Sequence, residues 1–116
     1  MEKLTKCVLH SPFQLTNAAQ LAGHDPLIFA RVTMPRDSVS EFLQGCGTGR
    51  KRLTEATRLD VQDSLDAGGR HVPWWPRELE GSSQVAYTEG GSWHRVIFVE
   101  DTSVSQVNVY LEAGKL

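Results

Sequence analysis

The sequence is short of cysteine, of net charge and of long apolar runs. Its two cysteines are too few for a disulfide scaffold or an all-cysteine zinc site. Cys7 and Cys46 therefore read as reduced thiols of a cytoplasmic protein, with a single bridge as the alternative. The formal net charge of -2 does not suit a chain that grips nucleic acid through bulk charge. No stretch approaches the ~20 apolar residues that span a bilayer, and Met1–Lys6 lacks the apolar core of a signal peptide. Neither nucleic acid nor membrane is an expected partner. Hydrophobic residues at 40% and charged residues at 22% suit a single folded domain over 1–116.

Motifs that carry chemistry are missing too. Gly45-Cys46-Gly47-Thr48-Gly49-Arg50-Lys51 has the glycines of a phosphate loop, but Arg50 stands where Lys then Ser or Thr is required. A dinucleotide fingerprint needs a third glycine at that same position, so the run reads as a helix stop followed by a basic loop. His10, His24, His71 and His94 show no metal-ligand spacing. Asp60, Asp63 and Asp66 recur every third residue without the glycine and glutamate of a calcium loop, and read as a solvated helix face. Cys46 closes an apolar stripe, where cysteine acts as a small hydrophobe. There is no serine-hydrolase elbow. No cofactor, metal or catalytic residue is expected on these grounds.

What is present is local structure. Leu4–His10 is strand-like, and Phe13–Ala22 reads as a short helix on the strength of its alanines. Leu27–Met34 alternates, with Ile28, Ala30, Val32 and Met34 on one face. Asp37 or Ser38 then offers a cap, with Glu41 at capping-box spacing, and Val39, Phe42, Leu43 and Cys46 form an apolar stripe. Leu53–Leu65 carries Leu53, Ala56, Leu59 (or Val61) and Leu65 near helical spacing, as helix or ordered loop. Pro73-Trp74-Trp75-Pro76 reads as a rigid extended segment. Val85–Thr88, Trp93–Val99 and Gln106–Leu111 make a C-terminal meander.

The sum is an α+β domain: an antiparallel sheet of four to five strands with one main amphipathic helix on one face. The other face would carry Gln106, Asn108, Tyr110 and Arg95. It stays open unless residues 48–84 or a second subunit cover it.

Three tryptophans are a large aromatic commitment for this length. Proline on both sides of Trp74-Trp75 lowers the entropy cost of holding indoles in place. At least one ring is expected in the core; an exposed partner beside Trp93, Tyr87 and Tyr110 would line a pocket for an aromatic, cationic or extended apolar ligand. The leading reading is a non-enzymatic binding module, homodimeric through an open sheet face or edge, with Trp74, Trp75, Trp93, Tyr110 and Tyr87 as ligand-binding residues. The ligand, small molecule or protein, is not specified. One alternative is a small enzyme using His71 and His94 with Asp60 or Asp63. Another is an inhibitory or purely structural partner of a second protein.

Phe13-Gln-Leu-Thr-Asn-Ala18, Glu41-Phe42-Leu43 and Val107-Asn-Val-Tyr-Leu111 together resemble a pattern of small uncharacterised bacterial α+β proteins. Thr16 and Asn17 stand where that pattern has proline and serine. The resemblance implies a bacterial protein carried on mobile DNA and brings no activity with it.

Overall fold

Alternation in the apolar residues builds a sheet that is buried on both sides. In Leu27–Pro35 (β2), Ile28, Ala30, Val32 and Met34 are buried on one face and Phe29 on the other. The computed structural model describes residues 14–21, 27–46, 53–78, 83–90, 93–100 and 105–115. The strand expected at Leu4–His10, His24, and the glycine-rich loop from Gly47 onward lie outside them. Besides β2, the strands are Gln14–Leu21 (β1), Thr54–Glu55 (β3), Gln84–Gly90 (β4), Trp93–Glu100 (β5) and Gln106–Lys115 (β6). They form one sheet in the order β1-β2-β6-β5-β4-β3, antiparallel throughout. The meander β4-β5-β6 is as expected, but the sheet has six strands, not four to five.

The added strand at one edge is Gln14–Leu21, where a helix was expected. Alanine's helix propensity is a weak prior that strand pairing overrides, and β1 pairs with β2 from Gln14↔Thr33 to Leu21↔Leu27. A bulge sits between Leu15 and Asn17. There the Thr16 hydroxyl donates to the Arg31 carbonyl at 2.9 Å and accepts from Arg31 Nε at 3.2 Å.

From β2 the chain makes a 3-10 turn, Arg36–Ser38, and enters helix α1, Val39–Gly45. The expected capping box at Ser38 and Glu41 does not form. Ser38 is already helical and makes no side-chain cap, because the turn feeds straight into the helix. The apolar stripe does form: Val39, Phe42, Leu43 and Cys46 pack on Ala30, Val32, Ile97 and Val109. Arg95 lies on β5 opposite Ala113, in the alternation of Ile97 and Val99. It therefore shares the α1 face instead of the face of Tyr110. Cys46 is disulfide-bonded, so the free thiol expected there is absent; Cys7 lies outside the described residues.

Helix α2, Arg58–Ala67, crosses the opposite face. Val61 is the buried residue of its stripe and Leu59 is 68% exposed, which decides between those two. Gly68, at φ 150°, ends the helix in backbone that side-chain-bearing residues rarely adopt. A second 3-10 turn, Gly69–His71, follows. The segment beyond it is not extended. The Trp75 amide donates to the Val72 carbonyl at 3.0 Å, so Pro73 occupies the second position of a β-turn, where its fixed φ fits.

That turn drives Trp75 into the sheet. The indole is 2% exposed and meets Phe29, Tyr110 and Phe98 edge-on, with ring centroids 4.8, 5.6 and 6.3 Å away. Trp74 is half-buried, 6.2 Å from Trp75. The face that the sequence left open is thus closed by 58–78. No helix among the described residues is long and apolar enough to cross a membrane.

Two outcomes follow. Trp75→Ala should cost about 3–5 kcal/mol in urea unfolding, the usual loss for a buried aromatic, and Trp74→Ala clearly less. In urea, where burial no longer shields it, Cys46 should stay unmodified by iodoacetamide until reductant is added, as read by peptide mass mapping.

Candidate functional site

Under α2 the sheet buries a carboxylic acid. Glu112 of β6 stands between Phe29 of β2 and Val96 of β5, and it is only 3% exposed. Both flanking partners are apolar, so neither answers its charge. The helix supplies one group. The Ser64 hydroxyl lies beside Glu112 and favours its charged form, and Ser64 Oγ accepts the Trp75 indole N–H. One carboxyl oxygen, Glu112 Oε1, is buried with no hydrogen-bond partner. Such an orphan costs about 1–3 kcal/mol, more when charged.

Glu112 lines a cavity of about 70 Å³ with Asp60, Asp63, Ser64, Tyr87 and Val96. The helix is fixed over it at both ends. At its start Thr57 and Asp60 form a reciprocal capping box: the Thr57 amide donates to Asp60 Oδ2 at 2.8 Å and the Asp60 amide to Thr57 Oγ1 at 3.2 Å. The Tyr87 hydroxyl of β4 donates to Asp60 Oδ1 at 2.6 Å, tying that first turn to the sheet. At the far end Gly69 lets the indole approach. A Cβ there would stand 2.8 Å from Trp75 Nε1 and 3.0 Å from the Ser64 carbonyl oxygen.

The electrostatics follow from this placement. Burial pushes the Glu112 carboxyl up to about 7, against the opposing pull of the Ser64 hydrogen bond. For Asp60 the upward effect of burial is outweighed by hydrogen bonds from Tyr87 and Thr57, and its acidity increases. Tyr87 is pushed well above its ordinary value by burial, by its bond to Asp60, and by the charges of Asp60, Asp63 and Glu112. All three carboxyl groups therefore act on one phenol. Among the described residues no lysine or arginine lines the cavity, which offers acceptors.

The chain matches no protein-family model, no curated protein and no solved structure. The site therefore has to be argued from its own atoms.

The residues expected from the sequence divide. Tyr87 lines the cavity and is 52% exposed. Trp75 lies beneath as a support, reaching the site through Ser64. Tyr110 is buried against Trp75, and its hydroxyl reaches Glu100 Oε1 only at 3.5 Å. Trp74 lies at the edge of the same cluster. The backbone of Trp93 is in β5, but its side chain lies outside the described residues. The histidine pair of the enzyme reading is not gathered at the carboxylates. His71 borders a separate groove with Leu21, Leu27 and Leu65. His94 packs over Gly114, where an added Cβ would lie 2.9 Å from its Cε1. Neither lines the cavity of Asp60 and Asp63. No group of three His, Cys, Asp or Glu side chains among the described residues could hold a metal ion.

Glu112 itself escaped the sequence reading, which ended the last strand at Leu111. The signal was the alternation Asn108, Tyr110, Glu112, continued one step beyond the last apolar residue.

A folded-state pKa of about 7 against 4.5 in the unfolded chain has a definite sign. The native state binds this proton more tightly, so its contribution is greatest below about pH 4.5 and is lost as pH rises to about 7. Across that window the wild type should lose roughly 3 kcal/mol relative to Glu112→Gln. Urea unfolding of both proteins at stepped pH measures the difference, and parallel curves would refute the assignment.

Proposed function

We propose that the protein is a binding module whose recognition group is the Glu112 carboxyl. The observation that carries this reading is the buried, unpartnered Oε1 on the wall of a cavity. A fold that only needed stability would place an apolar residue between Phe29 and Val96. The site keeps one ring of the aromatic set, Tyr87, at the entrance, and uses Trp75 to hold the Ser64 hydroxyl in place.

Size decides what can enter. Sites for whole small molecules run to about 300–1,000 Å³, and this cavity is about 70 Å³. It accepts one functional group, the tip of a ligand whose remainder lies outside over Tyr87. The same comparison weighs against an enzyme. A carboxyl titrating near 7 is suited to acid–base work, but the space holds no substrate beside it, and His71 and His94 do not line it.

The open-face argument for a homodimer loses its support, because α2 and Trp75 cover that face; the argument from a sheet edge is untouched by that covering. A disulfide at Cys46 fits an oxidising compartment better than the cytoplasm.

The test is a set of single-group probes read by amide and indole NMR shifts. Ligands that enter should move the Glu112 and Val96 amides and the Trp75 indole N–H together. Shifts confined to other surfaces, or none with any probe, would refute the reading.

A further inference from the structure

We infer that the group recognised at Glu112 is a primary ammonium, carried by a small amine or by a lysine side chain. This rests on the binding reading above and gives it a chemistry.

The acceptors choose the charge. Asp60 and Asp63 from α2, Glu112 from β6 and the Tyr87 phenol from β4 all border the cavity, and no basic side chain among the described residues does. A buried carboxylate facing further carboxylates gains most from a cation with hydrogen atoms to donate. An ammonium has three such donors on a compact head. Glu112 Oε1 has no bond at all. Asp60 Oδ1 accepts only the Tyr87 hydroxyl among the bonds described, and Asp63 adds a further carboxylate to the wall. Three acceptors from two elements thus border a space of about 70 Å³.

Competing cations fit less well. A guanidinium is a wide planar fork that pairs with both oxygens of a carboxylate, and a space of about 70 Å³ better suits a compact head. A quaternary ammonium donates no hydrogen bond and relies on several aromatic faces, whereas among the described residues Tyr87 is the only ring on the wall. A metal ion lacks its ligand set among the described residues. A primary ammonium uses all that is there.

The measurement is titration of the intact protein with methylammonium, tetramethylammonium, methylguanidinium, acetamide and a blocked tripeptide with one central lysine, followed by the same amide and indole shifts. Methylammonium or the lysine peptide should bind at least about tenfold more tightly than the other three. Whichever of the two binds tighter identifies the source as free amine or lysine. Binding should strengthen up to about tenfold from about pH 6 to about pH 8, as the Glu112 proton is displaced. Glu112→Gln should weaken it at least about tenfold. Asp63→Asn, on the exposed side of α2, should weaken it about threefold without unfolding the protein. If acetamide or methylguanidinium moves the Glu112 and Val96 amides while methylammonium does not, the ammonium assignment is overturned and the binding site stands. If no probe moves them, both fall.

Discussion

A single indole N–H organises this molecule. Trp75 is buried among Phe29, Phe98 and Tyr110, and its ring nitrogen is a donor that cannot be left unanswered in an apolar interior. Ser64 answers it. That choice fixes the rotation of α2 over the sheet, because the serine must face inward on a helix whose neighbouring positions 62 and 63 are exposed. Once Ser64 is inward, its hydroxyl stands above β6 and meets Glu112. A packing requirement of the core thus places a serine over the buried carboxyl that, among the described residues, has an oxygen with no partner.

The glycines after α2 belong to the same constraint. Gly68 turns the chain through backbone that other residues avoid, and Gly69 clears the space that the indole edge fills. Pro73 then folds the chain back in a β-turn. A helix stop, a close approach and a tight turn follow within a few residues, and each is needed for the ring to reach the sheet.

Much of the sheet was legible because its information is local. Leu27–Met34 and the meander strands alternate with the period of a strand, and the α1 stripe repeats with the period of a helix, whatever the rest of the chain does. Gln14–Leu21 misled because its alanines favour helix in isolation, while its conformation is decided by pairing with β2. Pro73–Pro76 misled for a related reason. The prolines restrict φ but do not say whether the chain runs on or turns, and the hydrogen bond to Val72 settles that. Glu112 was hidden by the habit of ending a strand at its last apolar residue. Its neighbours Phe29 and Val96 are far away in sequence, and only the sheet order shows that a charge is enclosed between them.

The strand order has a consequence for how the chain is made. Within the sheet β2 pairs with β6, and a side-chain bond across that pair, Thr33 to Asn108, links residues 75 apart. Everything before Gln106 can form hairpins and helices, yet neither apolar layer has its floor until that last strand arrives. Loop-closure entropy must be met before such distant contacts return anything, which slows folding. During synthesis the nascent protein therefore waits with two half-built cores exposed, and its hazard lies in the interval before the final strand slides into the gap beside β2.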